Sequence, residues 1–266
     1  MTLQVWLGAS PIKVSPFTFP DGQPHLSVDW LPRNRGKAQV HATLEDSEDV
    51  MHLLLLKDVL DHNRIEVDHL LIKYMLGARM DRRMNNHTPA TLEVFAKLIR
   101  DAGFDHIRVL DPHSIATTAL LGAEAVYPYF AFAKVLANRP SLDMTVLVVP
   151  DAGAQKRVEI LNTARKLPTV QGFKHRDPQT GKLSGFGVYG DVDGKSCLIV
   201  DDICDGGGTF TGLAKVLREN GALKVDLFVT HGLFTKGLPL EGIDSVYTTD
   251  SVCPDPFPPA RVYESS

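Results

Sequence analysis

The densest chemistry in the chain is Cys197-Leu-Ile-Val-Asp-Asp-Ile-Cys-Asp-Gly-Gly-Gly-Thr209. An apolar strand runs into two adjacent acids, Asp201 and Asp202. Asp205, Gly206, Gly207, Gly208 and Thr209 then open a helical pattern. Glycines let backbone N–H groups surround an anion, and a helix N-terminus adds partial positive charge. The paired carboxylates would repel a phosphate directly, but they suit ribose hydroxyls or a Mg²⁺. The combination points to a sugar phosphate with a metal. An EF-hand is excluded, because Ile203 and Gly212 stand where its loop needs carboxylates.

These residues need a sheet and helices to hold them. Candidate strands are Met51–Leu56, His69–Lys73, His106–Leu110, Thr145–Val149, Ser196–Val200 and Val225–Thr230. Several are continuous apolar runs, as in a parallel sheet covered on both faces. Candidate helices span Ala90–Ala102, Gln155–Lys166 and Thr209–Asn220, with glycines at 103 and 221 as stops. The alternation predicts an α/β fold. Pro168–Gly194 reads as a long loop, and the proline-rich tail from Cys253 as an extended end.

The chain has 266 residues, 44% hydrophobic and 23% charged, with a net charge of −4. That gives no general electrostatic reason to expect a nucleic-acid or membrane partner. No apolar stretch is long enough to span a bilayer, and Met1–Ser10 lacks the pattern of a secretory signal. Three cysteines without a CxxC pair suggest neither disulfides nor zinc, and a cytoplasmic location is expected. Gly185-Phe-Gly-Val-Tyr-Gly190 has dinucleotide-loop spacing but opens no helix. Gly181-Lys182 lacks the Ser or Thr of a P-loop.

The Val-Asp-Asp-x-x-Asp-x-x-Gly-Thr pattern resembles the phosphoribosyl pyrophosphate loop of the type I phosphoribosyltransferase fold. Further segments resemble the ribose-phosphate pyrophosphokinases: Phe19–Gln23, Ala78–Arg82, Leu110–Ser114, Val149–Arg157, Lys174–Arg176 and Thr230–Phe234. The resemblance implies two tandem type I phosphoribosyltransferase-like domains, each a mostly parallel sheet flanked by helices, over residues 1–127 and 128–266. It implies transfer of a pyrophosphoryl group from Mg-ATP to the 1-hydroxyl of ribose 5-phosphate, with ATP and the sugar held at the interface of the domains.

By the same resemblance, His113 and Asp151 would bind Mg²⁺ on the ATP phosphates. Asp201 and Asp202 would hold ribose hydroxyls, directly or through a second metal. Gly206, Gly207, Gly208 and Thr209 would bind the sugar's phosphate. Lys174 and Arg176 would neutralise charge on the transferred group, and Asp205 is the candidate base. Arg79 and Asp81 would contact ATP. Phe19, Asp21 and Gln23 would face the adenine of ATP held by a neighbouring subunit, so a homo-oligomer, dimer or hexamer, is implied.

Two departures from the family pattern stand out. Met80 replaces a glutamine beside Arg79, and Gly206 and Gly207 replace bulkier loop residues, one of them a hydroxyl donor to the 5-phosphate. Less bulk there suits either simple backbone donation to phosphate or a larger 5-substituent. The alternative acceptor, associated with phage-type members of the family, is ADP-ribose, which would belong to NAD salvage. A phosphoribosyltransferase would use the same loop without an ATP site, and a regulatory subunit would lack turnover.

Overall fold

A computed structural model of the protein describes residues 2–29, 36–139, 141–176, 183–252 and 260–264. The chain forms two compact units, dividing between Val126 and Tyr127. In the first, β1 (Thr2–Leu7) and β2 (Ser10–Ile12) form a hairpin. A second hairpin, β3 (Val14–Thr18) and β4 (Pro24–Val28), stands apart from the sheet. The α/β part is β5 (Ala38–Thr43), α1 (Ser47–His62), β6 (Val67–Tyr74), α2 (Thr91–Asp101), β7 (Ile107–Leu110), α3 (Ile115–Leu121) and β8 (Glu124–Val126). The sheet order is β2-β1-β5-β6-β7-β8, parallel from β5 onward.

The expected strand Met51–Leu56 is helical and lies inside α1. Asp46 accepts from the Asp49 N–H at 3.0 Å, and the Asp49 carboxylate accepts from the Asp46 N–H at 3.2 Å. This reciprocal cap fixes the helix start. Val50, Leu53, Leu56 and Leu60 then face the core at helical spacing. Leucine favours helices, so its run carries no strand information without the cap.

The second unit contains α4 (Tyr129–Ala137), β9 (Thr145–Val149), α5 (Gln155–Asn162), β10 (Thr169–Arg176), β11 (Leu183–Tyr189), β12 (Ser196–Cys204), α6 (Gly208–Glu219), β13 (Lys224–Gly232), β14 (Ser245–Thr249) and β15 (Arg261–Tyr263). The strand order is β11-β10-β9-β12-β13-β14-β15, and only β11 runs antiparallel to its neighbour. Alternate residues of each strand serve opposite faces. Val146, Val148, Ile199 and Leu227 pack with Leu213 and Leu217 of α6, while Leu147, Leu198, Val200 and Phe228 pack with α4 and α5. Two covered faces explain the unbroken apolar runs. Each fully buried Leu or Val contributes about 1.5–3 kcal/mol.

The region expected as a loop, Pro168–Gly194, is largely a hairpin of β10 and β11, with residues 177–182 outside the described residues. Its glycines hide the strand pattern. Phe173 lies opposite Gly187, and any Cβ there would collide with the Phe173 ring. The glycine seats a cross-strand aromatic. The helix expected over Gln155–Lys166 ends at Asn162. In the tail, residues 253–259 lie outside the described residues, but Arg261–Tyr263 pairs with β14 and Tyr263 stacks on Tyr247. Among the described residues, no helix is long and apolar enough to cross a membrane.

Candidate active site

The strand order of the second unit reverses direction at β9. From that strand the chain moves outward to β10, then returns to add β12 on the other side. Ligands of open α/β sheets bind beyond the carboxyl ends of strands at such a switch point. Asp151 follows β9, and Asp201 and Asp202 occupy the last turns of β12.

Arg157 of α5 reaches both acids. Its Nη1 is 3.3 Å from Asp201 Oδ1 and its Nη2 is 3.4 Å from Asp202 Oδ2, with all three side chains largely buried. The Asp202 N–H also donates to Asp201 Oδ1 at 2.9 Å. The Asp201 carboxyl is nonetheless pushed well above the usual carboxylate range. Burial is the main cause, followed by the neighbouring charge of Asp202, and Asp151 adds to it, while Arg157 opposes. Asp201 and Asp202 thus meet one guanidinium, and Asp151 adds a third negative charge nearby. Among the described residues, no three His, Cys, Asp or Glu side chains converge as a ready-made metal cage. Sequence reasoning missed Arg157 as a partner of these acids, although it closes the Val149–Arg157 segment.

Asp151 Oδ1 accepts from the Gly153 N–H at 3.0 Å, which fixes the turn after β9. Beside it opens a cleft of about 730 Å³ lined by Gln155, Gln171, Phe173 and Tyr189.

The phosphate loop is shaped by packing from β13. Gly207 caps α6 with φ of 74°, a left-handed conformation that glycine adopts without strain. A Cβ on Gly207 would collide with Leu240, and a Cβ on Gly206 would meet the Cδ and Cε of Lys236 at 3.2 Å. The two glycines do not leave the room read from their size. The Lys236 stem and Leu240 occupy it. Gly208 is open, and while the Phe210 and Thr211 N–H groups donate to the Gly207 carbonyl at 3.0 Å, the N–H groups of Gly208 and Thr209 remain as donors at the start of α6.

The Thr230–Phe234 segment explains how β13 holds this loop. The Leu233 and Phe234 N–H groups donate to the Cys204 carbonyl at 2.9 and 3.1 Å. The Thr235 N–H donates to the Asp205 carbonyl at 3.2 Å, and its hydroxyl donates to the Asp205 carboxylate. His231 Nδ1 lies 2.9 Å from Ser251 Oγ. Asp205 is thus tied to the neighbouring strand's loop.

Lys174 and Arg176 lie near the end of β10, opposite Phe186 and Leu183, and their side chains fall outside the described residues. Both are on a strand, where the sequence suggested a loop.

In the first unit, Arg79 and Asp81 follow β6, and His113 follows β7, all beyond the carboxyl ends of parallel strands. Arg79 and His113 are exposed. Phe19, Asp21 and Gln23 form the turn of the β3–β4 hairpin. Asp21 accepts from the Gln23 N–H at 3.2 Å and from its side-chain amide at 3.0 Å. Phe19 is 46% exposed, stacks on His25 and meets the edge of Phe17. The sequence reading named Phe19 but neither Phe17, two residues before it, nor His25, which strand pairing brings beside both.

Known proteins resemble this chain in sequence and in fold. Residues 152–256 match the family described as phosphoribosyl synthetase-associated domain. The ribose-phosphate pyrophosphokinase of Mycoplasma pneumoniae is 31% identical over 224 residues, covering 83% of this chain and 68% of its own length. That of Hyphomonas neptunium is 28% identical, covering 92% of this chain and 79% of its own length. The crystal structure of phosphoribosylpyrophosphate synthetase from Mycobacterium smegmatis superposes with a TM-score of 0.79 at 23% identity, over 97% of this chain and 88% of that one, and so shares the fold. The chain belongs to the ribose-phosphate pyrophosphokinase family.

Proposed function

We propose that the protein transfers the pyrophosphoryl group of Mg-ATP to the 1-hydroxyl of ribose 5-phosphate, giving phosphoribosyl pyrophosphate and AMP. The observation that carries this reading is the direct succession of buried paired acids and a glycine-capped helix at the switch point of a family member's sheet. The sugar's 1-oxygen attacks the β-phosphorus of ATP. The bond from that phosphorus to the bridging oxygen breaks, and AMP leaves with the electron pair. Phosphoryl-type transfers of this kind need chiefly positioning and charge neutralisation.

Each group has a task in this reading. The first turn of α6 receives the 5-phosphate. Asp201 and Asp202 hold the ribose hydroxyls, and Asp205 takes the hydroxyl proton. Lys174 and Arg176 neutralise the transferred group. Asp151, Asp201, Asp202 and His113 are proposed as the residues that would hold Mg²⁺, the three acids as oxygen donors at and beyond the ends of β9 and β12 and His113 from its motif. Bound Mg²⁺ would supply charge neutralisation on the phosphates. Arg79 and Asp81 contact ATP. The exposed Phe17–Phe19–His25 cluster is a stacking platform suited to adenine. If it serves a neighbouring subunit, the active form is a homo-oligomer. The free, buried thiols of Cys197 and Cys204 fit a reducing, cytoplasmic setting.

Phosphorus-31 NMR of the protein with Mg-ATP and ribose 5-phosphate tests the reading. AMP and a pyrophosphorylated sugar should appear together and in equal amounts. ADP or free pyrophosphate in their place would refute the transfer.

A further inference from the structure

The loop after β13 lays a lysine across the phosphate loop. The methylenes of Lys236 stand 3.2 to 3.5 Å from the place a Gly206 side chain would occupy. The residue is exposed, and among the described residues its ammonium has no ion pair or hydrogen bond. The backbone that carries it is held on the loop by the Thr235–Asp205 and Phe234–Cys204 hydrogen bonds. The neighbouring Gly207 position is closed by Leu240.

From this geometry we infer that Lys236 is a substrate-binding residue whose ammonium receives the sugar's 5-phosphate. The inference rests on the proposed function. A side-chain donor at position 206 would reach the phosphate from within the loop. Glycine removes it, and the lysine stem lies beside the place it would have taken. A flexible stem ending in a point charge is a common phosphate ligand, and it complements the uncharged backbone donors of α6. Gly206 is small because Lys236 passes there, and Gly207 because Leu240 does. Leu240 itself is buried in the core that supports the loop.

Steady-state kinetics of Lys236→Met and Lys236→Arg test the assignment, with ribose 5-phosphate and ATP varied separately. Lys236→Met should raise the KM for ribose 5-phosphate about tenfold or more, as expected for loss of a charge-assisted phosphate contact. The KM for ATP should move far less. Lys236→Arg should recover most of the loss, because it keeps the charge. An unchanged sugar KM in an active Lys236→Met would overturn the inference and leave the proposed function standing. Equal rises in both KM values, with no recovery by arginine, would also overturn it by showing a merely structural role. A wild-type protein that releases no AMP with ribose 5-phosphate would overturn the proposed function, and this inference with it.

Discussion

Leu240 lies directly over Gly207, so that a Cβ added to the glycine would collide with its methyl groups. Gly207 also has φ of 74°, which side chains rarely adopt. Gly207→Ala should therefore cost about 2–4 kcal/mol, strain and overpacking together. Gly206→Ala should cost less than about 1 kcal/mol, because only a flexible lysine stem must give way, yet it should raise the KM for the sugar phosphate. Urea denaturation beside kinetics checks the contrast.

The Asp201 carboxyl, pushed up by burial and by Asp202, gives a stability prediction with a definite sign. Unfolded, the group loses its proton near its ordinary value of about 3.9. Folded, it holds that proton to higher pH. Stability therefore falls as pH rises from the unfolded value through the folded one. Asp201→Asn removes the ionisation and should raise Tm at pH 7 while abolishing turnover. Scanning calorimetry of both proteins at pH 5 and 8 reads the effect, and the gap should be wider at pH 8.

Arg157 is the counterpart of that instability. Removing it leaves Asp201 and Asp202 without their guanidinium. Arg157→Met should destabilise by about 3 kcal/mol. Combined with Asp201→Asn, the loss should shrink, and a double-mutant cycle measures the coupling.

The thiols of Cys197 and Cys204 are pushed up to about 11 and about 12, chiefly by burial. Neither should react with a disulfide reagent in the native protein near pH 8, since a thiolate is the attacking form. In Cys253→Ser, native labelling should be absent, and two thiols should appear on unfolding.

Phe19 is exposed, so its loss should scarcely affect stability. Phe19→Ala should raise the KM for ATP about tenfold, in line with the loss of one stacking contact, and leave that for the sugar unchanged. Kinetics with each substrate varied checks this.

What was legible in the sequence follows from how local the signals are. β12 and its loop combine an apolar strand, three acids and three glycines within thirteen residues, and each feature reports on its neighbours. α1 was misread because its cap lies outside the leucine run. The β10–β11 hairpin was missed because Gly187 serves Phe173 on the opposite strand, a relation that no window along the chain contains. Lys236 and Leu240 went unnoticed for the same reason. They reach Gly206 and Gly207 only because β13 pairs with β12. The bulk lost at those glycines was visible in the sequence, but the side chains that fill it were not.

Transfer to ribose 5-phosphate is tested most directly by AMP release from Mg-ATP, followed chromatographically with ribose 5-phosphate and with ADP-ribose in parallel. AMP should appear in proportion to ribose 5-phosphate consumed, with ADP-ribose far poorer. AMP released only with ADP-ribose, or with neither sugar, would contradict it.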